Sequence, residues 1–132
     1  MRAVYLLLIL SLGLTLSCTT PRYSVVRNKN REMLKELFLY KCITRGYPEI
    51  EFDKLDHSAA VYFELSHYTP EAYLKIDSLA KDFVSNITNE DTYYEDEKSK
   101  GIFIKSMEYL KDKKLDDFIK ELDKYMSKYS RN

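Results

Sequence analysis

Tryptophan is absent from this 132-residue chain, and glycine and proline occur only three times each. That scarcity leaves few sites for tight turns. It argues against a β-sandwich or barrel and suits long helices. An excess of one charge is also missing, because 21 lysines and arginines balance 21 aspartates and glutamates. A neutral chain of mixed signs lacks the basic footprint that phosphate binding needs, which argues against nucleic acid as the partner. No apolar run reaches the roughly twenty residues that a membrane-crossing helix requires. Two histidines and two cysteines leave little material for metal or thiol chemistry.

The longest apolar run, Leu6 to Leu16, comes after Met1-Arg2 and leads through Ser17 into Cys18. A short apolar stretch behind a positive start is the pattern of a cleaved secretory signal. A small residue directly before a cysteine resembles the lipobox of bacterial lipoproteins, in which the thiol is acylated and becomes the new N-terminus. Thr15 departs from that pattern, which usually has leucine there. Two readings of Cys18 stand side by side. It is a lipidation site, or it comes after an ordinary cleaved signal and is available to pair with Cys42. Both put the working protein outside the cytoplasm. The chain accordingly divides into a signal peptide at 1–17, a polar tether carrying Pro21 at 18–29, and one domain at 30–132. A domain of that size buries about two thirds of its unfolded surface without metal or a disulfide lattice.

Within the domain the apolar spacing is helical. Met33, Leu34, Leu37, Phe38, Cys42 and Ile43 share one face of a helix beginning near Asn30 and stopped by Gly46 and Pro48. Leu55, Ala59, Tyr62 and Phe63 or Ser66 mark the inner side of a second helix from Asp53 to about His67. Thr69-Pro70-Glu71 is a start signal: threonine can cap, proline suits the first turn, and glutamate faces the positive dipole end. Tyr73, Ile76, Leu79, Ala80 and Phe83 continue that third helix. Ile102, Phe103, Met107 and Leu110 form a fourth. Asp112 can cap a fifth, striped by Leu115, Phe118, Ile119, Leu122, Met126 and Tyr129. The expectation is an all-α compact bundle of about five helices.

Nothing in this pattern carries catalysis. His57 and His67 are ten residues apart, about 15 Å along a helix, too far for one metal ion. No metal site and no cofactor is expected. A lone Cys42 on a helix face is most simply a small buried hydrophobe. The stretch from Ser85 to Glu97 is the one long segment of the domain without apolar periodicity. There Tyr93 and Tyr94 stand among Asp91, Glu95 and Asp96, rigid aromatic area ringed by carboxylates. Such a set suits a protein partner, in which aromatics supply contact energy and charges supply rate and specificity. A solvated charged loop is the plainer alternative.

Several segments together resemble one family. Leu39-Tyr40-Lys41-Cys42-Ile43-Thr44-Arg45-Gly46-Tyr47 is similar to its first-helix signature. Asp56-His57-Ser58-Ala59-Ala60-Val61-Tyr62-Phe63-Glu64 resembles its second. Tyr68-Thr69-Pro70-Glu71-Ala72-Tyr73 with Ile76-Asp77 is the closest match. Lys105-Ser106-Met107-Glu108-Tyr109-Leu110 with Leu115-Asp116 tracks a late segment. The family is the amidase immunity proteins of type VI secretion systems, small helical proteins of the periplasm. The resemblance implies a non-enzyme that binds and blocks the cleft of a peptidoglycan amidase effector, often as a homodimer holding two toxin molecules. A lipid on Cys18 would hold such an inhibitor at a membrane facing the wall. An accessory envelope lipoprotein that binds another protein is the alternative.

Ser106 stands where the family pattern has its second cysteine, so the bridge that the resemblance implies to Cys42 is absent here. Packing alone must hold the bundle. Cys42→Ala is accordingly expected to cost no more than about 2 kcal/mol in chemical denaturation. A much larger loss would give the thiol another role.

Overall fold

The computed structural model describes residues 22–88 and 101–127. The first helix, α1 (Arg22–Gly46), starts eight residues before the expected Asn30. No glycine or proline interrupts the chain from Arg22 to Arg45, so nothing stops the helix from continuing toward its N-terminus. Asn30 is itself buried and serves as a link. Its amide nitrogen donates to the Val26 carbonyl at 2.8 Å, and its oxygen accepts the His67 N–H at 2.6 Å. Leu34, Leu37, Phe38 and Cys42 form the inner face, while Met33 and Ile43 of the predicted stripe are only partly buried.

The second helix expected from Asp53 to His67 is two pieces, α2 (Phe52–Leu55) and α3 (Ser58–Leu65). Asp56 causes the break. It is extended, at φ −141° and ψ 127°, and its carboxylate accepts the Ser58 N–H at 2.6 Å. That bond favours a new helical start over continuation of the old one. The Ser58 hydroxyl and then its N–H hold the Asp56 carboxyl below the usual range.

The third predicted helix appears as α4 (Pro70–Ser85), with Ala72, Ile76, Ala80 and Val84 buried at four-residue steps. Thr69 is its N-cap residue, but its hydroxyl donates to the Glu71 carboxylate and accepts no amide. The Ala72 N–H bonds instead to the Thr69 carbonyl at 3.0 Å. Two further helices, α5 (Ile102–Tyr109) and α6 (Lys113–Glu121), complete the set. Asp112 caps α6 by accepting the Lys114 N–H at 2.8 Å, as its position predicts. The last helix ends earlier than expected and tightens into a 3-10 turn at Leu122–Tyr125. Met126 then forms an antiparallel bridge with Tyr68, in which Ser127 N–H donates to the His67 carbonyl at 2.7 Å and Thr69 N–H to the Tyr125 carbonyl at 2.9 Å. Among the described residues this gives five helices of two turns or more, a one-turn α2 and the 3-10 turn, with no strand beyond that bridge.

Helix α1 is the centre, touching α3, α4, α5 and α6. Phe38 stacks at an angle with Phe83 of α4 and Tyr109 of α5, at 5.6 and 5.5 Å between ring centres. At the N-terminal half of α1, Arg31 forks onto Asp123 of the 3-10 turn, and Tyr68 donates its phenol to the same carboxylate at 3.0 Å. At the other end α1 approaches α5 so closely that a Cβ on Gly46 would sit 2.7 and 2.8 Å from the two γ carbons of Ile102. Ile102 is fully buried and β-branched, so it cannot yield cheaply. Alanine's helix preference would return about 1 kcal/mol, against about 1–3 kcal/mol for overpacking. Gly46→Ala is therefore expected to lower the urea midpoint, and an unchanged or raised midpoint would show that Ile102 gives way.

Candidate partner-binding surface

Cys18 and the loop residues Asp91, Tyr93, Tyr94, Glu95 and Asp96 lie outside the described residues. The described start of that loop already departs from the sequence reading. Ile87 is buried in the core, so the chain stays pinned to the bundle just after α4. Beside the end of α4 lies an open groove of about 680 Å³, lined by Thr44, Arg45, Ile50, Phe52, Val84 and Ser85, among others. Its charged rim is largely satisfied. Arg45 pairs with Asp77 at 2.5 Å, and Lys54 with Glu51 at 2.6 Å. No helix among the described residues is long and apolar enough to cross a membrane, and no metal-binding cluster occurs among them.

The surface that sequence reasoning missed is the outer side of α3. Its residues include Ala59, Ala60, Val61, Tyr62, Phe63 and Leu65, apolar nearly all round. A helix of that composition is normally enclosed, yet none of its residues is buried. Val61 is 48 % exposed, Phe63 51 % and Leu65 60 %, and Leu74 on α4 is 70 % exposed. Tyr62 leans on the core as expected. Phe63 rests on Tyr73, ring centres 4.9 Å apart. The Tyr73 hydroxyl meets the Ser66 hydroxyl and lies 3.3 Å from the Tyr62 carbonyl, which fixes the C-terminal end of α3. Burial pushes that phenol above its ordinary range. The result is a rigid ridge with an apolar outside. The signal was present in the lack of a polar face, which the three-and-four spacing of Leu55, Ala59 and Tyr62 concealed.

Cys42 and Ser106 face each other across the α1–α5 contact, both fully buried. The Ser106 hydroxyl donates to the Ile102 carbonyl at 2.7 Å, within its own helix. Burial pushes the Cys42 thiol up to about 11, and its hydrogen bond with Ser106 opposes this only in part. The thiol is therefore a packed, protonated group, unlike the partly exposed thiolates of reactive cysteines. Folding keeps it protonated while the unfolded thiol ionises near 8.5, so its contribution to stability is lost as pH climbs from about 8.5 toward 11. At pH 8 a thiol reagent should label Cys42 only at the rate of unfolding. Ser106→Cys should form a bridge to Cys42 under oxidising conditions and raise stability by up to about 4 kcal/mol through loop closure. Free thiols persisting in that variant would place the two side chains too far apart or wrongly turned.

A family model described as type VI secretion system (T6SS) amidase immunity protein, Tai4, matches residues 32–119, about two thirds of the chain. No curated protein and no solved structure matches it. The matched span begins within α1 and ends in α6, so it contains the buried face of α1, the α3 ridge, and both Cys42 and Ser106. This chain belongs to the Tai4 family of T6SS amidase immunity proteins.

Proposed function

We propose that this protein works in the periplasm by binding a peptidoglycan amidase effector and covering its active cleft, with no turnover of its own. The family match over residues 32–119 carries the reading. The exposed α3 ridge supports it, because apolar side chains held rigidly at a surface lose little entropy on binding and bury area at once. The loop beyond Ile87 belongs to the same proposal. Tyr93 and Tyr94 supply contact area, while Asp91, Glu95 and Asp96 meet a basic group or the histidine of the cleft and speed encounter. Steric cover is sufficient for inhibition, since the peptide stem must enter the cleft to be cut. Lipid on Cys18 would hold the inhibitor where the amidase acts, raising its local concentration without a new contact. A homodimer would present two such surfaces and hold two effector molecules.

The test is binding and protection with the cognate amidase. The purified protein should form a complex with it and suppress digestion of isolated cell wall. Tyr93→Ala with Tyr94→Ala should weaken the complex at least tenfold, on the order of 1.4 kcal/mol. Val61→Asp, at a half-exposed position on α3, should weaken it comparably while leaving the melting temperature alone. Loss with only one of the two variants assigns the contact to that element. Full protection with both would put the interface elsewhere, and no protection by the parent protein would end the proposal.

A further inference from the structure

The geometry points to the first two turns of α1 as a surface that lies against a phospholipid bilayer bearing anionic headgroups. The inference rests on the lipidated Cys18 proposed above. Because α1 begins at Arg22, only Thr19, Thr20 and Pro21 separate it from Cys18. Four chain steps reach at most about 14 Å whatever their conformation. A twelve-residue tether would let the domain stand clear of the lipid, whereas this one keeps the start of α1 within the range of the surface potential.

The charges on α1 are graded to match. Its first turn has no acidic residue, and Arg22, Arg27, Lys29 and Arg31 all precede its first acid, Glu32. Arg31 is committed to Asp123. Arg27 lies over the Tyr23 ring, 5.4 Å from its centre, and neither Arg27 nor Lys29 has a carboxylate partner among the described residues. The exposed line of the helix starts at Val25, which is 60 % exposed, continues through Asn28 and Lys29, and then reaches Glu32 and Glu36. Apolar and basic positions thus lie nearest the anchor, and acids lie a turn or more beyond. Beyond the first two turns Lys35 pairs with Glu32 and Asp116, so the following turns are close to neutral. An anionic surface therefore attracts the first two turns more than the rest of the helix, which tilts the body over the membrane. A lipid chain plus a basic patch is the two-signal arrangement that stable anchoring needs. It also turns a tether into an orienting contact.

The experiment uses the full mature protein, purified from membranes and reconstituted in vesicles of phosphatidylethanolamine and phosphatidylglycerol. A nitroxide is attached at Val25→Cys or, for comparison, at Leu74→Cys, with buried Cys42 protected from the reagent. The residue-25 label should be shielded from a water-soluble relaxation agent at least threefold more than the residue-74 label. In phosphatidylcholine vesicles that shielding should diminish. Asn28→Glu with Lys29→Glu, both at exposed positions, should abolish it without changing the melting temperature. Equal exposure of both labels on an acylated chain overturns the inference and leaves the anchor standing. A mass spectrum with unmodified Cys18 removes the anchor and this inference with it. Shielding at residue 25 that appears only when the amidase is added would assign the surface to that protein, which also overturns it.

Discussion

Among the described residues, four helices are organised by burial of one side of α1. Leu34, Leu37, Phe38 and Cys42 sit at successive turns of that side, and each is essentially inaccessible. Four helices close over them, and the most extensive of these contacts is with α4. Small residues make that contact possible. Ala72 and Ala80 on α4 let the two backbones approach, while Ile76 between them fills the groove. Without the α1 stripe the remaining helices have few partners, because their contacts with one another are minor beside those with α1. Short helices such as α5 and α6 could not persist alone, since helices of eight or nine residues are marginal in water without tertiary packing.

The two ends of α1 are secured by different physics. Near its start, the fork of Arg31 onto Asp123 and the phenol of Tyr68 form one polar knot. This knot ties α1 to the 3-10 turn and to the connection between α3 and α4. Its members are mostly out of water, so removing one leaves the others uncompensated, which costs more than a surface pair would. Near its end the polar link is a more exposed one, with Lys41 and Arg45 both pairing with Asp77 of α4, and the contact with α5 is made without it. Gly46 and Ile102 meet by shape alone, and Cys42 and Ser106 continue that seam. The missing covalent bond lies along this second, shape-dependent seam. Close packing and a buried hydroxyl bonded within its own helix occupy the place that a disulfide could take.

The sequence made the α1, α4 and α6 faces legible because their apolar residues recur over several turns. It misplaced helix ends where one residue outweighed periodicity. Asp56 divided a continuous-looking pattern because its carboxylate offers Ser58 a better partner than the helix does. The last helix yielded to a 3-10 turn because Met126 is needed in the bridge with Tyr68. Asn30 was invisible as a core residue, since only the fold brings the His67 amide to it. The α3 ridge was hidden for the opposite reason. Apolar residues in a sequence are read as core, and nothing local tells a buried leucine from Leu65. The Cys42–Ser106 pairing came from resemblance and not from periodicity, and the structure places the two side chains together.

An immunity protein must change its binding surface as its target changes, and it must do so without unfolding. This architecture separates the two demands. The stabilising contacts lie along α1, whereas α3 contributes no buried residue to the core. A substitution at Val61 or Leu65 removes area from solvent-facing side chains and leaves the packed stripe intact. Surface changes of that sort usually shift stability by no more than about 0.5 kcal/mol. The constraint that remains on α3 is orientational. Tyr62 and Tyr73 hold its inner side and its C-terminal end, so a new side chain on the outer face is presented at the same angle as the old one. Rigidity of the ridge therefore comes from aromatic groups that do not themselves need to vary. On the binding surface proposed above, specificity could then drift on one face while the opposite face keeps the fold.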